Sequence, residues 1–536
     1  MRLSAIFLLL LGAGMAAFGQ TNAPLTRKMS LEDCIQIALE HNLDVQIKRY
    51  NPEILGYDLF AVYSAYEPTL NMAGGHDYTT SSGGYDQYGR PFGSTETDDN
   101  HFSTTVSGML PWGTTYSLGG NVTDSYGSRP STILNPNSPI LVTNTFFDPA
   151  TGASRSFVST NFASLPSRAS FENVSGSAGA LQLRQPVLKN FLMDNTRLQI
   201  ILDKKNLKTS QEDLRLQTMN TVTAVETAYF NLIYARENVK VQQKALEMAE
   251  TQLANDTKRV EVGALAPLSE RQSQSQAAAS RVAVLSALST ADTQLRVLKN
   301  LLSDDYSQWQ DVNIDPAEAL VAMPQTFNLQ ESWRRGLTMR PDLIEQKLSL
   351  EAQGYVVKFQ RNQLLPELDV VGTAGYAASG RNLNDAADQM RGRDNPFWSG
   401  ALQMTMPLGN TLARNNYKAA KSTKEQIAAQ LKQLEQGILI TIENAIAVAK
   451  TDYAQVSATR DARLYAEEAL AAEEKKLESG KSTTFDVLSL QSKLTSARSD
   501  EISALRQYNN DLAQLALAEG STLERRHVKI ASKNDK

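Results

Sequence analysis

Side chains able to do covalent or metal chemistry are few in this chain of 536 residues, and they stand far apart. One cysteine, Cys34, and four histidines, His41, His76, His101 and His527, give no disulfide framework, zinc knuckle or cysteine-rich metal site. Cys34 lies in a helical pattern, where it reads as a small buried apolar residue. There is no Gly-rich phosphate loop ending in Gly-Lys-Ser/Thr, no His-Glu-x-x-His segment and no nucleophile elbow. Glu226, Glu237, Glu247 and Glu250 are spaced along a long helical stretch and are expected to be solvated-face carboxylates. Asp486, within Gly480 to Leu488 (GKSTTFDVL), falls where a helix begins, and the helix dipole favours a carboxylate there. Neither an enzymatic role nor a cofactor is expected.

The balance of 53 Lys and Arg against 58 Asp and Glu, a net charge of −5, excludes a basic domain built to grip nucleic acid. Hydrophobic residues at 41% suffice for a core but are too few for a polytopic helical membrane protein. Residues 1–19, MRLSAIFLLLLGAGMAAFG, read as a Sec-type signal peptide with cleavage after Ala17-Phe18-Gly19, so the mature chain leaves the cytosol. Position 20 is Gln with no Cys nearby, which argues against a lipidated N-terminus. Beyond the leader no run of 18 apolar residues occurs, so a membrane-spanning mature chain requires a closed β-barrel.

The chain repeats itself weakly. Leu31 to Asp44 matches Leu329 to Asp342 at an offset of 298 residues, and Pro68 matches Pro366 at the same offset. Pro186 then corresponds to Pro407 at an offset of 221, and Gly263 to Gly480 at 217. The drop of 77 between Pro68 and Pro186 marks an insertion in the first copy, at about 75–165, rich in Gly, Ser, Thr, Asn and Tyr. Two repeats result, 20–325 and 326–520, followed by a basic tail, 521–536, expected to be mobile.

Ahead of the prolines the hydrophobic period is two. Strands are expected at about 69–79, 171–185, 368–378 and 397–406. About ten alternating residues match a tilted strand crossing an outer membrane, although a soluble sandwich alternates in the same way. After the prolines the period becomes helical, predicting long helices at 197–257 and 411–477, with return helices at 268–302 and 485–518. Each long helix would run roughly 90–100 Å at about 1.5 Å per residue. The shorter helical segments 41–66 and 341–365, added to the return helices, equal the long helices in length. That matching points to a hollow or bundled cylinder, with a plain coiled-coil rod as the alternative. On the return helix at 485–518, Ala at many contacts lets helices approach closely, while frequent Gln, Ser and Thr favour one face open to water.

Leader, duplication, strand segments and paired long helices together resemble the TolC-like outer-membrane efflux proteins. The marks are Pro186 and Pro407 closing strands before long helices, and Gly480 to Gly520, which is similar to the family's Gly-Thr-x-x-x-x-Asp-Val-Leu signature. A degraded version runs from Val260 to Leu288. The resemblance implies a mixed α/β membrane protein: a homotrimer whose subunits usually give four strands each to one transmembrane β-barrel, continuous with a long periplasmic α-helical coiled-coil barrel. It also implies a periplasmic adaptor protein, an inner-membrane RND or ABC-type pump, outer-membrane lipid around the strands, and passive export through a gated tunnel. By resemblance Asp486 lines the closed entrance. The family's next acidic position falls on Ser489, its loop Arg on Ser482 beside Lys481, and a linking Tyr of some members on Leu477.

Gly263 and Gly480 are expected to make the periplasmic turns, with Val262, Ala264, Leu265, Leu268, Lys481 and Phe485 as candidate adaptor contacts. The insertion is expected to form an extracellular hairpin (101–110 and 114–124 around Pro111-Trp112-Gly113) and loops, the alternative being extra barrel strands. Its Tyr78, Tyr85, Tyr88, Trp112 and Tyr116 would form an aromatic girdle or a plug. The competing reading of the whole chain is a non-conducting structural or adhesive envelope rod.

Overall fold

The computed structural model describes residues 25–85, 89 and 91–528. The leader at 1–19, Tyr88 and the end of the basic tail from 529 lie outside the described residues. The chain runs through β1 (Leu25–Met29), α1 (Leu31–His41), α2 (Leu43–Tyr63), β2 (Thr69–Ser81), the two-residue strands β3 (Gly84–Tyr85) and β4 (Pro91–Phe92), β5 (Thr95–Met109), β6 (Thr115–Asp148) and β7 (Ala153–Pro186). It continues through α3 (Asn195–Glu261), α4 (Pro267–Leu302), β8 (Val312–Pro316), α5 (Leu329–Met339) and α6 (Pro341–Asn362). Last come β9 (Glu367–Gly380), α7 (Leu383–Gly392), β10 (Asn395–Thr405), α8 (Thr411–Glu478), α9 (Thr484–Glu519) and α10 (Thr522–Arg525). None of the described helices is long and apolar enough to cross a membrane.

Two compact units result, and each draws chain from both sequence repeats. The first takes Met1–Leu55, Leu207–Leu348 and Ala428–Lys536, the second Gly56–Asn206 and Ser349–Ile427.

In the first unit α1 starts on a capping box, Ser30 Oγ accepting from Asp33 N–H while Asp33 accepts from Ser30 N–H. A parallel pair, β1 with β8, lies over a core of Cys34, Met219, Tyr229, Leu232, Leu298 and Ile314. Burial pushes the Cys34 thiol up to about 12, as suits an inert core residue. Tyr229 donates from its hydroxyl to Met29 O at 3.0 Å and receives Ala317 N–H at 3.1 Å, which ties the strand pair to α3. A second core joins Leu343, Ile438, Ile442 and Leu515. Gly336 lets α5 lie against α8 there, since a Cβ would stand 2.4 Å from Ile442 Cδ1.

The chain after Gly520 departs from the expected mobile tail as far as it is described. Ser521, Thr522 and Leu523 are buried, Arg525 donates to Leu512 O at 2.7 Å, and Arg526 pairs with the buried Glu226. The cause is electrostatic: a carboxylate 1% exposed on α3 requires a cation, and Arg526 supplies it.

The second unit is built on one antiparallel six-stranded sheet in the order β10-β9-β7-β6-β5-β2. The insertion therefore differs from the expected hairpin set apart from the strands. β5 and β6 do form a hairpin around Pro111-Trp112-Gly113, but β5 also pairs with β2 and β6 with β7. Beyond the sheet, β6 and β7 continue as a two-stranded ribbon to the turn at Asp148. α7 lays Ala386 and Met390 on Val122, Val174 and Ala378 of the sheet. The described insertion aromatics separate to opposite ends of the strands, Trp112 and Tyr116 at the β5–β6 turn, Tyr78 and Tyr85 at the other end. Pro186 is the last residue of β7, and Pro407 follows the end of β10 by two residues.

Candidate functional site

The two helix-to-helix turns of the first unit are built alike. Gly263 has φ +74° and Gly480 φ +73°, the left-handed conformation in which a side chain is strained. In each turn the glycine N–H bonds back three residues, to Val260 O at 2.9 Å and to Leu477 O at 3.1 Å. The next residue bonds back five, Ala264 to Arg259 O at 2.7 Å and Lys481 to Lys476 O at 2.8 Å. Both are Schellman closures, which satisfy the last carbonyls of α3 and α8. Around them Val262, Leu268 and Phe485 stand 77%, 68% and 62% exposed, while Leu265 is half-buried.

Asp486 sits in the first turn of α9, exposed. Thr483 caps that helix, receiving Asp486 N–H at 3.2 Å and donating its hydroxyl to Asp486 Oδ2 at 2.6 Å. Ser489 stands one turn further along α9, half-buried. Lys481 is exposed, whereas Ser482 donates to Glu473 Oε1 at 2.6 Å. Sequence reasoning missed Glu473. Lys476 and Ser482 hold its carboxyl below the usual range, and its only local signal was an acidic residue seven positions before the turn glycine. Leu477 packs beside Leu470, Val487, Leu494 and Met248, an apolar position where the resemblance placed a linking tyrosine.

Higher on the pair, Arg463 bonds Glu467 at 2.9 Å and Glu501 at 2.5 Å, and Arg498 bonds Glu467 at 2.8 Å, tying α8 to α9. The same α9 meets α3 through neutral hydrogen bonds and through Arg506, whose guanidinium lies 4.9 Å from the centroid of the Tyr234 ring. Ser499 donates to Asn238 at 2.9 Å, Gln242 donates to Ser499 at 3.4 Å, and Asn510 donates to Asn231 at 3.3 Å. Ion pairs therefore tie α8 to α9, while neutral hydrogen bonds and one cation–π contact join α9 to α3.

A second group of charges gathers at Glu345 of α6. Burial, with Asp213, Asp342 and Glu212 nearby, pushes its carboxyl up to about 7 against the opposing pull of Lys48, which itself bonds Asp213 at 2.6 Å. The folded chain thus keeps a proton that the unfolded chain releases at about 4.3. Stability contributed here falls as pH rises from that value to about 7. Glu345→Gln should therefore stabilise the unit at pH 8 by about 1 kcal/mol, after discounting for solvent screening, and change little at pH 4. Urea or thermal unfolding of the two proteins at both pH values reads this directly.

The family model for outer membrane efflux proteins matches residues 152–303 and 335–521, more than half of the chain. The chain belongs to that family. It is similar to the outer membrane efflux protein BepC of Brucella suis, 26% identical over 328 residues that span 60% of this chain and 67% of the relative. It is also similar to the outer membrane protein TolC of Escherichia coli, 22% identical over 351 residues, 64% of this chain and 69% of TolC. Its fold is that of the Campylobacter jejuni outer membrane channel CmeC, with a TM-score of 0.61 at 16% identity over 97% of this chain and 94% of that one. The protein is thus an outer-membrane efflux channel of the TolC type, reaching into the periplasm, and not an enzyme. It conducts substrate outward, so the reading as a non-conducting envelope rod gives way.

Proposed function

We propose that three copies close one barrel and one helical tunnel, that the α3–α4 and α8–α9 turns form its periplasmic mouth, and that Asp486 rings that mouth. A periplasmic adaptor docks on the turns, an RND or ABC-type inner-membrane pump supplies energy and selectivity, and the channel contributes passive passage. The observation that carries the trimer is the open sheet. Among the described residues its outer strands, β2 and β10, each have a free edge, and lipid tolerates no such edge. α2 supports the same reading. Leu43, Ile47, Tyr50, Ile54 and Tyr57 follow a four-three spacing and stand 50–66% exposed, a seam that fits a neighbouring copy. Ile47→Glu with Tyr57→Glu should convert the purified trimer to monomer, read as molecular mass in detergent. A wild-type mass other than three chains would sink the trimer.

The exposed apolar groups at the two turns support adaptor docking. Leu268→Asp with Phe485→Asp should abolish co-purification of the adaptor and leave the trimer intact, because neither side chain is buried. Undiminished adaptor recovery would place docking elsewhere. With Ser482 and Ser489 in place of charged groups, the closed mouth rests on Asp486 with Lys481 close by, and pump-coupled adaptor engagement widens it. Three like charges near one axis repel, which favours opening once neutral contacts such as Ser499 with Asn238 release.

A further inference from the structure

We infer that the β5–β6 hairpin crosses the outer membrane as barrel wall, so that each subunit contributes six strands and the channel's exit is an eighteen-stranded barrel. The hairpin itself is read from one chain, and the total of eighteen rests on the trimer proposed above.

The pairing register lines up one residue from each strand in a row: Leu70, Val106, Leu118, Leu181, Ala374 and Trp398. The neighbouring row on the opposite face is Thr69, Ser107, Ser117, Gln182, Thr373 and Ser399. Paired residues share a face and successive residues alternate, so at this level of the sheet one face is apolar in all six strands and the other polar in all six. The polar row is cross-linked by its own hydroxyls, Thr69 to Ser107 at 3.1 Å and Thr373 to Ser399 at 2.6 Å. The apolar row is uncovered, with Leu70 61%, Leu118 48% and Trp398 84% exposed. An apolar exterior and a polar interior are the two surfaces of a membrane barrel wall, and the hairpin carries both in register with its neighbours.

The hairpin also runs the depth of that wall. Its turn closes with Leu110 N–H on Thr114 O and Gly113 N–H on Leu110 O, both at 2.8 Å. Thr114 is buried and bonds Gln185 beside Pro186, the residue that ends β7. A Cβ on Gly113 would stand 2.6 Å from Arg197 Nη2 in the first turn of α3, so the turn is seated where strands give way to helix. From Gly108 up to Phe102, which pairs with Gly74 and Val122, is about 20 Å at about 3.3 Å per residue. Above that level the outer face turns polar, with His76, Asn100 and Asp124 in one row and His76 bonded to Asn100 at 2.9 Å. At the roughly 40° tilt of barrel strands that length rises about 15 Å, so the apolar band on the hairpin spans more than half of a lipid belt about 25 Å tall.

Barrel width grows about linearly with strand number, so an eighteen-stranded exit is about half as wide again as a twelve-stranded one. An outer-membrane passage of that width admits cargo bulkier than four strands per subunit would pass.

The test uses the full-length protein in its membrane, with Cys34→Ala removing the native thiol and single cysteines placed at Val106, Leu118, Ser107 and Ser117. Ser107→Cys and Ser117→Cys should react with a water-soluble maleimide roughly tenfold faster than Val106→Cys and Leu118→Cys. A fluorophore at the latter two should be quenched by nitroxide-labelled lipid. Equal aqueous reactivity at all four positions, with no lipid quenching, would overturn the inference by putting the hairpin outside the membrane. Mass measured on the same preparations separates the two readings: alternation in an assembly that is not a trimer would keep the hairpin in the wall and overturn the count of eighteen.

Discussion

Channels carrying Asp486→Ala should lose most of their preference for cations, a drop of several-fold in the cation-to-anion permeability ratio read from reversal potentials under a salt gradient. The chain presents this carboxylate exposed in the first turn of α9, and the proposed three-fold assembly would gather three of them around one axis. The substitution also removes part of a helix cap, since Asp486 exchanges hydrogen bonds with Thr483. Thr483→Ala separates the two effects. It costs the cap about 1 kcal/mol and leaves the charge in place. Selectivity lost in Asp486→Ala and kept in Thr483→Ala assigns the charge to the pore, whereas equal changes in both would assign it to the cap alone.

Arg526→Ala should destabilise the protein by about 3 kcal/mol, although the residue lies ten positions from the end of the chain. Its partner Glu226 is 1% exposed on α3, and removing the guanidinium leaves a buried carboxylate without its ion pair. Glu226→Gln in the same chain should recover much of the loss, because the neutral side chain no longer requires a cation. Denaturant unfolding of the single and double variants measures both, and a stability unchanged in Arg526→Ala would mean that the segment after Gly520 contributes nothing to the core.

Helices and turns were legible because their signals are local. α3 and α8 carry long stretches with helical period, and Gly263 and Gly480 mark the ends that their positive φ requires. Strands β9 and β10 likewise alternate clearly over about ten residues. What escaped was long-range. β1 and β8 are five residues each and meet across nearly 290 positions of sequence, so no local pattern announces their pairing. β5 and β6 alternate weakly because their apolar positions include Thr104, Gly108 and Gly120. Their place in the sheet became readable only through the register with β2 and β7. At the candidate mouth the turn glycines could be found from spacing and Asp486 from the family resemblance of Gly480 to Leu488, but Glu473 could not, since its significance lies in the bond from Ser482 across the turn. The basic tail misled because a run of Arg and Lys reads as solvated until the buried Glu226 is placed opposite it.

Passage through the channel is read as ion conductance of the purified wild-type protein in a planar bilayer. A small, cation-selective conductance is expected, and it should grow when the α3 to α9 contacts at Asn238 and Ser499 are removed. A folded, membrane-inserted assembly that stays silent, both as wild type and with those contacts removed, would contradict it.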